Sequence, residues 1–397
     1  MLEAIFWLSA ILVFWTYLGY PMAMGALAFV RPVPIEPRPR PGAPTVTVVL
    51  AVRDEASRLE HRVENLLAQT GLVTASQIVI AYNGCTDNTP LIARSLAQRH
   101  PHVEALSSPG EEGKAGALNR GVEAAAGEFI IFADGRQMFA ADTIQRLLEP
   151  YTDPAVGAVS GRLIIMETDV PAVGGVGTYW KLESWLRDSE SRSGSVVGST
   201  GAVHSVRRSL YRDLPPGLIL DDVMIPMNVV MQGFRAVRVN SAVAWDVPAP
   251  SSGTEFRRKL RTLVGNMQLV RHEPRVLSPK ENPLFFRFIS HKLLRLVAPL
   301  LLITMLVSAI PLNEPFYRSV LGAQLLVYAL GFLGLLFPLR ALSLPAGFVL
   351  LNGAALAALL KRRSDATAIW HGTSTPTPWT APDTVKITSP AERREAS

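Results

Sequence analysis

Residues 128–137 read EFIIFADGRQ, and the fold prediction starts from this stretch. A run of apolar residues ends abruptly at an acid, Asp134. The run is too short for a buried helix and follows a segment of small residues, so it predicts a buried strand of a parallel sheet. Asp134 is then expected at the carboxyl edge of the sheet, where open α/β sheets bind their ligands. An acid there can hold a ribose hydroxyl, or a metal ion beside phosphates.

The sequence on either side of this stretch alternates between strand and helix patterns. β-branched and apolar residues predict strands at 45–52 and 77–82. Apolar residues at helical spacing predict helices at 57–69, 90–100 and 114–125. This alternation predicts a doubly wound α/β sheet.

The composition indicates a membrane protein. Hydrophobic residues make up 48% of the 397 residues and charged residues 18%, a low charged fraction for a soluble protein. The net charge of +6 could indicate nucleic acid binding, but the basic residues flank apolar runs, as on the cytosolic side of a membrane protein. No nucleic acid partner is therefore expected. The single cysteine, Cys85, excludes an internal disulfide, and nothing indicates an oxidising compartment.

Four segments are apolar enough to be candidate spans, namely 4–30, 293–312, 319–339 and 342–360. The first has no clear cleavage site, so it predicts a membrane helix and not a signal peptide. Arginines follow it, and the positive-inside rule puts the next region in the cytosol. Four spans would place the basic triplet at 361–363 outside, where the rule disfavours it. The last segment is therefore a span or an interfacial or re-entrant segment, and the side of the tail stays open.

Two loops at predicted strand ends carry candidate nucleotide contacts. Residues 51–55 read AVRDE and can offer backbone groups and one carboxylate to a base and ribose, although a solvated turn is the alternative. Residues 83–89 read NGCTDNT. Asn83 could read a base edge, whereas Asp87 or Asn88 could simply cap the following helix.

Further along the chain, two short motifs carry charges. Residues 113–119 read GKAGALN, in which glycines admit a ligand and Lys114 at a helix start suits an anion. An ordinary helix start is the alternative, and the P-loop pattern is not met. Asp221 and Asp222 precede a predicted helix, so one can cap it while the other could deprotonate a hydroxyl. We expect Asp221 to be the cap.

A basic motif lies near the second candidate span. Residues 257–261 read RRKLR, and Arg258 and Arg261 share a face one helical turn apart. They could neutralise a departing diphosphate. The alternative is a basic helix on anionic lipid headgroups, which spacing alone favours.

Together and in this order, these motifs resemble the membrane-bound family 2 glycosyltransferases. These are GT-A fold enzymes that include chitin, hyaluronan and cellulose synthases and bacterial exopolysaccharide glycosyltransferases. The resemblance extends from the first span to about Leu312. It implies an α/β GT-A (nucleotide-diphospho-sugar transferase) domain with one transmembrane helix before it and several after it. It also implies polysaccharide biosynthesis at the cell envelope, in a bacterial-type plasma membrane with the catalytic domain cytosolic.

The domain organisation predicted on this basis has five parts. They are a membrane helix at 1–30, a Pro-rich linker at 31–44, a GT-A domain at 45–285 with a basic interfacial helix at 255–270, two to three membrane helices at 286–360, and a polar flexible tail at 361–397.

On the donor side, the resemblance implies roles for single residues. Ala51 and Glu55 match the loop that holds the uracil nucleoside. Asn83 stands where the family usually has a base-reading Asp, so uridine reading is weakened or made differently. Lys114 matches the Gly-Lys element near the donor diphosphate. Asp134 matches the first acid of the Asp-x-Asp motif, which helps to bind nucleotide and metal.

On the acceptor side, Gly201 matches the acceptor loop within residues 201–208. Asp222 matches the last acid of the Glu-Asp pair, the general base of the family, and Asp221 stands beside it as a substrate-binding candidate. Arg258 and Arg261 fall at the first and fourth places of the Gln-x-x-Arg-Trp motif.

Two departures from the family pattern change these expectations. Arg136 replaces the second acid of Asp-x-Asp, so the divalent cation that the resemblance implies, Mg²⁺ or Mn²⁺, has Asp134 alone as its predicted protein ligand. We hypothesise that Arg136 supplies charge near the diphosphate. The Gln and Trp of Gln-x-x-Arg-Trp are missing, which argues against long processive synthesis or for an atypical acceptor.

The resemblance therefore implies an inverting hexosyltransferase. It would use a nucleotide sugar, a UDP-sugar by the family pattern, and transfer the sugar to a hydroxyl of a lipid-linked or surface-glycan acceptor at the membrane. The alternatives are a transferase acting on a simple lipid, such as polyprenyl phosphate or a ceramide, and a non-catalytic nucleotide-binding membrane scaffold. The sequence does not name the sugar, linkage, product length or oligomeric state.

Overall fold

The computed structural model of the chain describes residues 1–39, 42–72, 76–166, 176–247, 252–337 and 339–361. The linker prediction falls partly on residues 40 and 41, and the tail prediction on 362–397, which lie outside the described residues. The strands of the described chain are β1 (Val46–Val52), β2 (Gln77–Asn83), β3 (Val103–Ser108), β4 (Phe129–Asp134), β5 (Met138–Phe139), β6 (Val156–Ile165), β7 (Val203–Arg207) and β8 (Arg235–Asp246).

The α-helices of the described chain fall into a membrane group and a domain group. In chain order they are α1 (Leu2–Phe14), α2 (Tyr20–Val30), α3 (Leu59–Leu67), α4 (Thr89–Arg99), α5 (Gly113–Glu123), α6 (Thr143–Leu148), α7 (Val176–Arg192), α8 (Asp221–Met231), α9 (Ser252–His272), α10 (Phe285–Phe288), α11 (Leu294–Ala309), α12 (Pro315–Leu336) and α13 (Ser343–Leu360).

One eight-stranded sheet organises the domain, in the order β3-β2-β1-β4-β7-β6-β8-β5. Strands β3, β2, β1 and β4 are parallel, with Ala51 opposite Ala81 on one side and Asp134 on the other. Strand β7 runs antiparallel to both β4 and β6, so the sheet is mixed and not wholly parallel as a doubly wound sheet would be. The pattern of apolar residues marks a strand but does not carry its direction, which explains this difference.

Apolar layers cover both faces of the sheet. In β4, Phe129 and Ile131 face one layer with α3, α4 and α6, while Ile130 and Phe132 face the other with α5 and α8. This alternation follows from the two-residue period of a strand. Fully burying one such side chain contributes about 1.5–3 kcal/mol, so the paired layers hold the end of β4 firmly in place.

Gly127 is the point where the chain enters β4 beside β1. Its N–H donates to Thr47 Oγ1 at 3.0 Å, and a Cβ at this position would lie 2.5 Å from Thr47 N. Backbone cannot move aside as a flexible side chain can, so we expect Gly127→Ala to destabilise the protein by about 2–3 kcal/mol. Thermal unfolding of the purified chain in detergent measures this. Gly322→Ala is the matched control, since its Cβ meets no atom within 4 Å; equal melting temperatures for the two variants would contradict the prediction.

Four helical segments of the described chain are long and apolar enough to cross a membrane, one N-terminal and three C-terminal. The first, Leu2–Val30, joins α1 and α2 through a π-helical turn, Trp15–Gly19. The others are Phe285–Ala309, Pro315–Leu336 and Ser343–Leu360. Phe6 of the first packs with Leu302 and Tyr317 of the next two, so these segments form a bundle. The predicted arrangement of apolar helices around the domain is confirmed.

The membrane helices and the domain share one core layer. Leu260 and Val264 of α9, together with Phe288 and Leu296 from the second candidate span, are buried in the same apolar cluster as α5 and α8. The domain face that carries α5 and α8 is therefore the one that meets the helical bundle.

Candidate active site

Lys114 is the centre of the charged cluster at the carboxyl edge of the sheet. It is the second residue of α5, and its Nζ lies 2.9 Å from Asp134 Oδ1 and 3.0 Å from Asp221 Oδ2. Asp134 ends β4 and Asp221 begins α8, so three separate elements meet at one ammonium group. Asp221 is buried, whereas Lys114 and Asp134 are partly exposed, so the cluster is open to a ligand on one side.

The charges of this cluster stabilise one another. Burial lowers the pKa of Lys114, but the carboxylates of Asp134 and Asp221 outweigh it and leave the pKa above its ordinary value. Burial raises the pKa of Asp134, but the Lys114 ammonium outweighs it and holds that pKa below the usual range. Both groups therefore stay ionised at neutral pH, as a site for a charged ligand requires.

Asp222 lies next to this cluster with a different environment. Burial and then the charge of Asp221 raise the pKa of Asp222 to about 6. Gly201 faces its carboxylate, because a Cβ at Gly201 would lie 3.4 Å from Asp222 Oδ2. A carboxylate with a pKa near 6 and a small residue in front of it has the properties of a general base with room for a substrate hydroxyl.

The prediction that Asp221 caps α8 is wrong. Leu220 is the N-cap residue and no side-chain capping hydrogen bond is formed there. The Asp221 carboxylate instead binds Lys114, 107 residues earlier in the chain. The Lys114 ammonium attracts this carboxylate more strongly than an amide at the helix end does.

The two loops expected to hold a nucleoside adjoin this cluster. Glu55 follows β1, its N–H donates to Thr89 Oγ1 at 2.8 Å, and its Oε2 lies 2.6 Å from Arg58 Nε. Burial raises the pKa of Glu55, although Arg58 opposes the shift. A Cβ at Gly135 would lie 3.0 Å from Glu55 Cγ, so the first loop packs directly against the residue after Asp134.

Asn83 is buried at the end of β2. Its Nδ2 donates to the Pro109 carbonyl and to Ser108 Oγ, while its Oδ1 is buried without a partner among the described residues. Asp87 has the structural role expected of it, because its two oxygens accept the N–H groups of Thr89 and Ala56 at 2.9 and 3.0 Å. Of these residues, Asn83 alone keeps an acceptor atom in reserve.

Arg136 has a partner that the sequence does not reveal. Its Nη2 donates to Asp246 Oδ2 at 2.8 Å, and Gln137 Nε2 donates to the same oxygen at 2.9 Å. Asp246 is buried at the end of β8, so this ion pair ties the Asp134 loop to the far half of the sheet. The pair offsets part of the charge of Arg136, whose charge still lowers the pKa of Asp134. The hypothesis that Arg136 supplies charge near a diphosphate stays a prediction.

Helix α9 brings its arginines towards the site. Burial lowers the pKa of Arg261, opposed by the carboxylates of Asp221, Asp134 and Asp222. Arg258 lies near the Arg136–Asp246 pair, and burial and then Arg136 lower its pKa. Arg261 therefore faces the charged cluster, which the reading as a basic helix on lipid alone does not explain.

Two arginines that the sequence analysis missed brace the site. Arg62 is fully buried, and its Nε donates to the main-chain oxygen of Asp134 at 3.1 Å. Arg187 donates to Ser199 O at 3.4 Å, and the N–H of Ser199 donates to Asp222 O at 2.7 Å. Arg62 shares the apolar face of α3, and a charge on such a face is a signal that could have found it.

The described residues contain a single group of three side chains with metal-ligand spacing, Asp54, Cys85 and Asp87. Its acids already accept hydrogen bonds within the loops, with Asp54 Oδ1 bound to the N–H of Thr86 at 2.6 Å. Asp134 belongs to no such group of three, so a cation there would depend on its carboxylate as the predicted protein ligand. That donor set fits Mg²⁺, which commonly takes one or two carboxylates together with substrate phosphates.

The fold has relatives among solved structures. It resembles the mannosyltransferase PcManGT from Pyrobaculum calidifontis, solved in complex with GDP-Man and Mn²⁺, with a TM-score of 0.68 and 23% identity over 91% of this chain and 98% of that one. The domain therefore has a GT-A type fold, with one candidate membrane span before it and three after it. The predicted fold class is confirmed.

A family model matches part of the chain. Residues 47–214 match the model described as Glycosyl transferase family 2. This is the family that the motifs resemble, so the resemblance drawn from the motifs is confirmed for this part of the chain.

Two named relatives match part of the chain. The poly-beta-1,6-N-acetyl-D-glucosamine synthase of Staphylococcus aureus (strain COL) is 23% identical over 60% of this chain and 59% of its own length. The succinoglycan biosynthesis protein ExoA of Rhizobium meliloti (strain 1021) is 31% identical over 39% of this chain and 45% of its own. The matches thus span between about half and three fifths of these relatives.

Proposed function

We propose that the chain is an inverting glycosyltransferase of exopolysaccharide biosynthesis. It moves a sugar from a nucleotide sugar to a hydroxyl of a lipid-linked or surface-glycan acceptor. The observation that carries this proposal is the Lys114 ammonium between Asp134 and Asp221, with Asp222 beside it at a pKa of about 6. The Lys114 ammonium then lies where the diphosphate leaves, and the Asp222 carboxylate lies where the acceptor hydroxyl attacks.

On the donor side, Ala51, Glu55 and Asn83 hold the nucleoside. The free Oδ1 of Asn83 accepts a base N–H, which both uracil and guanine possess, so Asn83 does not by itself select between them. The family pattern favours a UDP-sugar. PcManGT is described with GDP-Man, so GDP-sugars are part of the test.

At the reacting centre, Asp222 takes the proton of the acceptor hydroxyl, whose oxygen attacks the anomeric carbon from the side opposite the diphosphate. Gly201 leaves space for the acceptor in front of Asp222. Lys114 and Arg261 offset the negative charge of the leaving diphosphate. Arg258, further out on α9, contacts the acceptor side of the cleft.

A divalent cation fits this site as a partner of Asp134. Mn²⁺ is named with PcManGT, and Asp134 offers one carboxylate to which donor phosphates would add further oxygens. When bound, such a cation neutralises charge on the diphosphate. Asp134 would exchange part of its contact with Lys114 for the cation.

The candidate spans support a reaction at a membrane. Helix α9 and the second candidate span share the buried layer beside α8, so the acceptor reaches Asp222 from the side of the helical bundle. The arginines after the first span favour a cytosolic domain at a plasma membrane of the bacterial type.

The pH profile of transfer follows from Asp222. Below about pH 6 this carboxyl becomes protonated and cannot accept the hydroxyl proton, so kcat/KM for donor should rise with pH through about 6 and then level off. Asp221→Asn removes a negative charge that raises the pKa of Asp222, so the inflection should move to lower pH. A profile that Asp221→Asn leaves unchanged or moves to higher pH would contradict this prediction.

The test of the proposed function is a donor panel. Membranes containing the full chain are incubated with radiolabelled UDP- and GDP-sugars, and products are separated by extraction into organic solvent. Transfer from at least one donor, lost in Asp222→Asn, supports the proposal, and extraction tells a lipid product from a polysaccharide. If no donor is turned over, the non-catalytic scaffold is the better account.

A further inference from the structure

Lys292 is a charged residue in the opening turns of an apolar segment. It lies in the π-helical turn Ile289–Leu293, within the candidate span Phe285–Ala309. π turns inside helices are frequent at functional sites. An ionisable residue in a membrane segment is costly, and by default it marks a functional site. Lys292 therefore calls for an explanation beyond packing.

The charged groups on the neighbouring helix α7 are already paired. Glu183 Oε2 accepts from Arg295 Nη1 at 2.6 Å, and its Oε1 accepts from Arg187 Nε at 3.0 Å. His291 Nε2 lies 3.0 Å from the same Oε1. Both carboxylate oxygens of Glu183 thus bind other groups, and neither forms an ion pair with Lys292.

The second glutamate of α7 is committed elsewhere too. Glu190 Oε1 accepts from the Tyr20 hydroxyl and lies 2.7 Å from His291 Nδ1. Among the residues that the structure describes, Lys292 forms no ion pair and no hydrogen bond. A partly buried ammonium without a direct ion pair is costly in a low-dielectric environment, so this position favours the arrival of a negative group that can contact it.

Lys292 lies on the side of the loop that leads to Asp222. A Cβ at Gly198 would lie 3.7 Å from Lys292 Nζ, and three residues on, Gly201 faces the Asp222 carboxylate. Lys292 is also close enough that its charge opposes the rise in the pKa of Asp222. The loop between Lys292 and the proposed base Asp222 thus has a glycine at each end, Gly198 beside Lys292 and Gly201 beside Asp222.

We propose that Lys292 binds the phosphate of a lipid-borne acceptor, which makes the acceptor a phosphate-bearing lipid and not a neutral glycan. This inference rests on the proposed function, because it takes Asp222 as the base. A lysine binds phosphate as a point charge. Since Lys292 lies in a candidate span, the phosphate in the headgroup of a membrane lipid can reach its ammonium group. The end of a neutral glycan carries no charge that would compensate this ammonium group.

Lipid binding without any donor tests this inference. The full chain in phosphatidylcholine nanodiscs is titrated with polyprenyl phosphate and with polyprenol of the same length. We expect the wild type to bind polyprenyl phosphate at least about tenfold more tightly than polyprenol, since a hydrogen bond to a charged group is lost with polyprenol. Lys292→Met should abolish that preference, Lys292→Arg should keep most of it, and the exposed-site control Lys280→Met should leave it unchanged.

Three outcomes overturn the inference. They are equal binding of the two lipids by the wild type, an undiminished preference in Lys292→Met, and equal competition by phosphatidylglycerol or inorganic phosphate, which would show a site for any headgroup or free anion. The comparison of the two lipids on the wild type stands even if Lys292→Met does not fold. Donor turnover is measured separately with Asp222→Asn, so a chain that transfers sugar without phosphate preference refutes this inference alone.

Discussion

Asp222→Asn is expected to lower sugar transfer by about 10²- to 10⁴-fold while donor binding stays as in the wild type. Asparagine keeps the size of the side chain but cannot accept the hydroxyl proton. Because the Asp222 carboxyl is raised to a pKa of about 6 by burial and by Asp221, its loss also relieves a repulsion, so the variant should unfold at the same or a higher temperature. Transfer is measured as labelled product, and donor binding by equilibrium titration of the purified chain.

The control for this variant is Asp213→Asn, which removes an exposed carboxylate. It should transfer sugar at the wild-type rate. Loss of donor binding in Asp222→Asn in parallel with transfer would show that Asp222 holds the nucleotide and would contradict its assignment as a base.

Lys114→Met is expected to damage both catalysis and folding. It removes the cation placed near the leaving diphosphate, which should lower turnover by about 10²- to 10³-fold. It also removes the cation that lies between Asp134 and the buried Asp221, which should destabilise the protein by about 3 kcal/mol. Turnover is measured with the best donor of the panel, and stability by thermal unfolding in detergent.

The pH dependence of unfolding separates this mechanism from general damage. In the wild type the pKa of Asp134 is depressed, so its contribution to stability is present above its unfolded pKa and is lost as the pH falls through the folded pKa. Lys114→Met removes the ammonium that holds the pKa of Asp134 down, so burial should raise that pKa, and stability should improve as the pH falls and Asp134 takes up a proton. Lys280→Met, at an exposed site, should behave as the wild type. The prediction fails if Lys114→Met shows the wild-type trend.

The edge of the sheet could be predicted because it depends on local pattern. The apolar run of β4 ends at Asp134, and those of β1 and β2 end at Val52 and Asn83. Carboxyl ends of neighbouring parallel strands must meet at one edge, so these residues come together whatever the rest of the chain does.

Contacts between distant segments could not be predicted in this way. Arg136 and Asp246 are 110 residues apart, and Lys114 and Asp221 are 107 residues apart. No periodicity relates such pairs, since the course of the intervening chain brings them together. For the same reason the motif analysis expected Asp221 to cap its own helix, a contact that needs no tertiary structure.

The membrane side of the site was harder still. Lys292 lies in a segment whose high mean hydropathy predicts a membrane span. The mean is dominated by apolar residues, so it gives no sign of a functional lysine within the segment. Its meaning depends on which carboxylates are already paired, and that requires the positions of α7 and α11 relative to α8.

The most direct test of the central claim is a cryo-electron microscopy map of the full chain in nanodiscs with Mn²⁺ and UDP or GDP. We expect the diphosphate to contact the Lys114 ammonium at the carboxyl edge of the sheet. We expect the nucleobase to lie at the ends of β1 and β2, beside Ala51 and Asn83. A nucleotide bound elsewhere, with Lys114 still held between Asp134 and Asp221, would contradict these expectations.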